Sequence, residues 1–298
     1  DGKKYSYLVK GREDLHLDER IMQFLDVNNK IFRKLNKKTS NKLHAKTFTV
    51  IPIGRRSGLI QWVDGTVPMT QVYKRWYQRN TDPKLHNIRP SEKYNSKLHP
   101  LLKEAGINDL TFRGRKSWPV EILRKVFLEM KKEIPPHILE KELWCSSPTN
   151  DIWWQKVQKF TKSIAVMSMI GYIIGLGDRH LDNILVDFSS GEIIHIDFNI
   201  CFERGLKLRV PELIPYRLTN MITKAFGVSG MEGTFKSTCN HVIRELRDHK
   251  ETLLSLLEAF VYDPLVDWTI DKEESQAILQ MELNTNLLLF ISRVNSSE

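Results

Sequence analysis

Cysteine is scarce and odd in number: only Cys145, Cys201 and Cys239 occur in 298 residues, without the paired spacing of a metal-ligand set. That fits a reducing compartment and speaks against a disulfide scaffold. Long apolar runs are also lacking. The longest, Ile164 to Leu176, is too short for a membrane span, carries Ser168 and two glycines, and reads as a buried helix. No secretory leader opens the chain, and Asp1-Gly2-Lys3-Lys4 resembles a turn cut from something longer. The composition of a disordered chain is missing too, since apolar residues make up 41% and charged residues 27%. A chain of this length buries a large core and is long for one compact domain, so two lobes are expected.

Acid is the charge in deficit, leaving a formal net charge of +9. Such a balance invites a nucleic-acid reading. The basic residues are nevertheless spread along the chain, with local groups at Arg33 to Lys38 and Arg113 to Lys116. Solvated faces or an acidic protein partner are the simpler accounts of them, and direct RNA contact stays undecided.

What is present centres on Gly177-Asp178-Arg179-His180-Leu181-Asp182-Asn183, followed by Ile196-Asp197-Phe198-Asn199. Leu185 to Phe188 and Ile193 to Ile196 read as short strands around the turn Ser189-Ser190-Gly191-Glu192, and that hairpin brings Asp197 back toward Asn183. Two oxygen-bearing side chains so placed suit Mg²⁺, which takes few protein ligands and keeps positions for phosphate oxygens. Asp178 then faces an acceptor hydroxyl, as phosphoryl transfer requires. A lone Asp or Asn in a loop is more often a cap or turn residue, and only the combination points to chemistry.

Upstream, Tyr5 to Lys10 reads as a strand. After it an acidic opening, Glu13 to Arg20, leads into an amphipathic helix with Leu17, Ile21, Phe24, Leu25, Asn28 and Phe32 near helical spacing. A strand lysine close to a helix acid is how an ATP site holds phosphates. Thr47 to Ile53 and Leu59 to Val63 read as strands joined through Gly54-Arg55-Arg56-Ser57-Gly58. Trp62 suits either an adenine ring or a core position. Thr81 to Lys116 reads as a long polar connection with a short helix near Leu98 to Ala105, Val120 to Glu133 as a helix, and Asp151 to Leu176 as a long helix delivering Asp178.

These residues resemble the phosphatidylinositol 3-kinase-related kinases. The order Asp-x-His-x-x-Asn inverts the His-Arg-Asp loop of conventional protein kinases. Further likeness lies in Lys10 to Asp14, Ser57 to Val63, Ala165 to Met169, Pro211 to Thr219 and Leu257 to Leu265. Asp14 to Leu25, Leu181 to Asn183 and Val261 to Trp268 are most similar to the branch that acts in nonsense-mediated mRNA decay. Asn199 replaces the usual glycine of Asp-Phe-Gly, which speaks against the target-of-rapamycin branch, and the single-stranded-DNA-damage checkpoint branch shares such an Asn. Asn tolerates positive φ, so a backbone turn is expected there.

The resemblance implies an α+β, bilobal protein-kinase-like fold of the PI3K/PI4K type, with a small β-rich N-lobe and hinge over 1–63 and a larger, mainly helical C-lobe over 64–298. It implies ATP with Mg²⁺, or Mn²⁺ as the alternative ion. Asp178 would orient or deprotonate the substrate hydroxyl, His180 would stabilise charge on the phosphoryl group, and Asn183 and Asp197 would hold the metal. Lys10 would contact phosphates, positioned by Glu13 or Asp18, while Ile51, Trp62 and Val63 would bind the nucleotide and form the hinge. The segment from Asp197 to about Thr219 would be the activation loop. The implied substrate is protein Ser or Thr followed by Gln, on the RNA helicase of the decay pathway, with regulatory subunits as partners, no membrane, and a cytoplasmic location with the nucleus as the second expectation. The family's first strands, its upstream helical repeats and its short C-terminal segment would lie outside this stretch. A phosphoinositide kinase and a non-catalytic scaffold are the other readings; the mixed charges of Glu203, Arg204, Lys207, Arg209 and Glu212 speak against the first, and the intact Lys10, Asp178, Asn183 and Asp197 against the second.

Overall fold

The computed structural model describes residues 2, 4–37, 42–80, 90–110, 117–202, 204–208, 211–263, 285 and 288–294. The basic group at 113–116, Lys38, Glu203, Arg209 and the motif residues 264–268 lie outside the described residues.

Strands β1 (Tyr7–Gly11), β2 (Val50–Gly54) and β3 (Ser57–Gln61) form an antiparallel sheet in the order β1-β3-β2. Helix α1 (His16–Asn36) packs against it with an apolar stripe. Leu17, Ile21, Phe24, Leu25 and Phe32 are all buried, as their spacing predicts. Asn28, the polar residue on that stripe, is buried as well and donates to Phe24 O at 2.8 Å. Its neighbour Asn29 ties the following segment to the helix, exchanging two hydrogen bonds with the Ala45 backbone at 2.8 and 2.9 Å. Gly58 is needed where β3 crosses beneath the start of α1, because a Cβ there would lie 2.7 Å from Ile51 O and 2.8 Å from Leu15 Cδ1.

Beyond Gln61 the chain turns and forms β4 (Thr66–Pro68), which pairs with β5 (Ile184–Asp187) and not with the first sheet; β5 pairs in turn with β6 (Ile193–His195). Helix α2 (Met69–Asn80) follows directly, and α5 (Ile138–Cys145) packs against it. Neither β4 nor α5 carries a strong periodic signal. The helical part of the polar connection is longer than the short helix expected near Leu98: α3 runs Pro90–Glu104 with Pro100 inside it, and pairs with α4 (Val120–Glu133). The two share a small core of Leu98, Leu102 and Val126, separate from the main one.

Helix α6 (Asn150–Ile174) is the spine of the main core. Thr149 caps its start, and Gly175 ends it in the left-handed conformation, φ 59°, with its N–H turned back to Gly171 and Tyr172. Helices α7 (Asn220–Lys224), α8 (Lys236–Asp248) and α9 (Lys250–Val261) complete the larger part, with a helical stretch at 288–294. Among the described residues no helix is long and apolar enough to cross a membrane.

Candidate active site

The β5–β6 register decides the centre of the site. Ile184 opposes His195, and Ile196 N–H donates to Asn183 O at 3.1 Å, so Asn183 and Asp197 emerge side by side from one end of the hairpin. The turn at the other end is fixed by Asp187, which accepts from Ser189 N at 2.8 Å and from the Ser190 hydroxyl at 2.8 Å. Asp178, at the end of the α6 connection, has φ 55°, and Asp197 has φ 58°. Non-glycine residues rarely adopt that conformation, and held examples gather at functional sites. The turn expected at Asn199 therefore falls two residues earlier, on Asp197, with Asn199 N–H reaching back to Asp197 Oδ1 at 3.4 Å. The carboxylate two positions back supplies that local partner, so Asn199 itself keeps an ordinary φ.

Arg179 stitches the two loops together. It is buried, and its guanidinium donates to Gly177 O at 2.8 Å, Ile196 O at 2.8 Å and Asp197 O, while its centre sits 5.6 Å from the Phe198 ring centroid. Five fixed donors make arginine suited to such bridging. Asn183 Nδ2 donates to Asp178 O at 3.0 Å, closing the loop on itself. Asp178 and His180 remain accessible, with His180 Nε2 3.8 Å from Asp178 Oδ2.

Lys10, at the end of β1, contacts Glu13 Oε2 at 2.6 Å. Burial opposes its charge, but the Glu13 carboxylate, with Asp197 and Asp18 nearby, outweighs that and raises its pKa. Asp18 has a different part. It is buried in α1 and accepts from Phe198 N at 3.1 Å, fixing the residue after Asp197 against the helix. Burial pushes its carboxyl up to about 6, against the Phe198 hydrogen bond and Lys10, with Asp197 adding to the rise. Of the two acids expected to position Lys10, Glu13 pairs with it and Asp18 holds the loop that carries Asp197.

The sheet register places the residues expected at the nucleotide on two faces. Lys10 opposes Gly58, and Val9 and Ile51 both flank Leu59. Because side chains alternate, Ile51 projects from the face opposite Lys10, where it is exposed with Val9 and Ile53. Leu8 and Ile60 share the Lys10 face instead. The pairing continues one step past β3, with Trp62 N–H to Ser6 O at 2.8 Å, which keeps Trp62 in phase with Ile60. Trp62 is 56% exposed, so it is not a core aromatic. Val63 is half-buried against the core, and its carbonyl accepts from Thr66 Oγ1 at 2.8 Å.

A divalent ion fits this donor set. Among the described residues no group of three or more His, Cys, Asp or Glu could enclose a metal by itself. Asn183 and Asp197 offer hard oxygens on one side only, leaving the remaining positions to phosphate and water, which is the way Mg²⁺ is usually bound.

A strand lysine paired with an acid, an Asp-x-His-x-x-Asn loop and an Asp-Phe turn beyond a hairpin thus meet in one candidate site. The chain belongs to the family described as phosphatidylinositol 3- and 4-kinase, whose model matches residues 4–270. It is 47% identical to the serine/threonine-protein kinase SMG1 of Danio rerio over 99% of this chain and 9% of that protein. It is 46% identical to the serine/threonine-protein kinase Smg1 of Drosophila melanogaster, over 96% of this chain and 9% of that one. Among solved structures, the Tel1 kinase butterfly symmetric dimer superposes with a TM-score of 0.77 at 29% identity, over 97% of this chain and 12% of its own. The chain thus spans about a tenth of the length of these curated relatives.

Proposed function

We propose that this chain is the catalytic core of an ATP-dependent Ser/Thr protein kinase of the phosphatidylinositol 3-kinase-related branch, acting on Ser or Thr followed by Gln. The observation that carries the reading is the pairing of Asn183 and Asp197 at one end of the hairpin, with accessible Asp178 clamped beside them. Similarity to kinases named SMG1 supports membership of that branch; with it go, as parts of the proposal, the RNA helicase of the decay pathway as target, regulatory subunits as partners and a cytoplasmic location.

When bound, ATP supplies the phosphoryl group and Mg²⁺ or Mn²⁺ offsets the charge on its phosphates. Asn183 and Asp197 would hold the ion, and Asp18 keeps the loop carrying Asp197 in place through Phe198 N–H. Lys10, kept cationic by Glu13, binds phosphate oxygens. Leu8, Ile60, Trp62 and Val63 offer the apolar surface for adenine. Asp178 orients the acceptor hydroxyl and takes its proton, while His180 supports the charge that develops nearby.

The test compares wild-type full-length protein with Asp197→Ala on a Ser-Gln peptide, the matching Ser-Ala peptide and phosphatidylinositol vesicles. Wild type should phosphorylate the Ser-Gln peptide, and the variant should lose at least about 100-fold in rate. Full activity in the variant would remove the metal role from Asp197, and transfer to the vesicles alone would make the protein a lipid kinase.

A further inference from the structure

Glu212 lies 34 residues beyond Asp178, in the segment leading to Thr219, yet its Oε2 accepts the Asp178 backbone N–H at 2.6 Å. The contact is built into the fold from three sides. Glu212 N–H donates to Gly205 O at 2.9 Å, so the 3-10 turn at Arg204–Lys207 holds the glutamate's own backbone. A Cβ on Gly177 would lie 2.9 Å from Glu212 Oε2 and 3.1 Å from Gly205 Cα. A Cβ on Gly205 would rest 3.5 Å from the same oxygen, an ordinary contact. Gly177 is thus the position that stays bare so that this carboxylate can reach the loop backbone.

Asp178 needs such a hold. Its left-handed conformation costs an L residue free energy unless both adjoining peptide groups are fixed. Asn183 Nδ2 fixes the carbonyl side at 3.0 Å. Glu212 is the partner on the amide side, and a carboxylate is a stronger acceptor than a neutral one.

We infer that Glu212 is a positioning residue that holds Asp178 in its left-handed conformation, so that its carboxylate is a condition for full-rate phosphoryl transfer. The inference rests on the reading of Asp178 as the residue that meets the acceptor hydroxyl. Without the Glu212 carboxylate, Asp178 N–H loses its acceptor and the side chain swings from its aim. Glu212 is thereby coupled to the proton acceptor through one hydrogen bond.

The experiment measures kcat and KM for ATP and for a Ser-Gln peptide in full-length protein, with nucleotide-analogue binding as the check on folding. Glu212→Ala should lower kcat about 10- to 100-fold, the range set by an ångström of misplacement, with KM for ATP unchanged. Glu212→Gln keeps an acceptor oxygen and should restore most of the rate. In an Asp178→Ala background, Glu212→Ala should cost nothing further, because the two act as a unit. Wild-type kcat in Glu212→Ala, a raised KM for ATP with unchanged kcat, or losses that multiply in the double variant would each overturn the inference. Should Glu212→Ala fail to bind nucleotide, the Gln variant decides: an inactive but nucleotide-binding Glu212→Gln also overturns it. Wild-type activity in Asp178→Ala alone overturns the prior reading of Asp178 and leaves the effect of Glu212→Ala to be read independently.

Discussion

At the scale of single residues, the site depends on a few side chains that satisfy backbone groups in place of touching substrate. Arg179 serves three carbonyls, Asp18 one amide, Asn183 one carbonyl and Glu212 one amide. Each is buried or half-buried, where an unmet backbone group costs about 1–3 kcal/mol. His195 stands apart from this pattern. It is buried in β6, its Nδ1 has no partner among the described residues, and burial together with the nearby Arg179 charge holds its pKa well below 6.5. The native state keeps it neutral, while the unfolded chain takes up a proton below about pH 6.5. Stability is therefore present above that pH and lost as pH falls, at up to about 1.4 kcal/mol per pH unit from this one group. His195→Leu should flatten the acid limb of the stability curve by one proton between pH 6.5 and 5, measured by chemical denaturation across pH. An unchanged slope would place His195 in contact with water.

At the scale of elements, the hairpin β5–β6 is the part whose form was most legible. Its strands, its turn and the return of Asp197 to Asn183 follow from alternation and from Ser-Ser-Gly between two apolar runs. What alternation does not reveal is the surface on which the hairpin lies. Gly191 has φ 85°, and a Cβ there would sit 2.5 Å from Lys156 O on α6. The turn is therefore pressed onto the spine helix by backbone contact. Gly191→Ala should cost on the order of 3 kcal/mol, combining left-handed strain with a clash that backbone cannot relieve. The check is the denaturation midpoint, with a shift below about 1 kcal/mol counting against this packing. The first sheet gives the opposite lesson. Its strands are readable, but the face on which Ile51 or Ile60 appears depends on pairing with β1, far away in sequence.

At the scale of the whole molecule, two cores of unequal size coexist among the described residues. The main one runs through α1, α6 and the β4–β5–β6 sheet, and the site lies along its edge. The smaller one joins α3 to α4, reinforced by Lys93 and Lys97, which reach Glu133 at 2.7 and 2.8 Å. Those two lysines hold the Glu133 carboxyl below its usual range. Because Leu98, Leu102 and Val126 pack together apart from the main core, Leu98→Ala should loosen this hairpin alone. Hydrogen exchange in α3 and α4 should rise at least about tenfold, while peptide phosphorylation and exchange in α6 stay unchanged. Equal loosening of α6 would show the two cores to be one.

By itself, the sequence determined the family and marked a candidate reaction centre: the order Asp178, His180, Asn183 and then Asp197 is local in the chain, and a short hairpin suffices to assemble it. Local patterning also determined α1, α4 and α6, since their apolar stripes and stop signals lie within each segment. Only the tertiary structure decided which residues support that centre. Asp18 meets Phe198 across 180 residues, Glu212 meets Asp178 across 34, and Ile60 replaces Ile51 beside Lys10 through strand register. Those contacts join segments whose local sequence carries no mark of the partner. They form because buried backbone groups must be satisfied, and whichever side chain the fold brings within reach satisfies them.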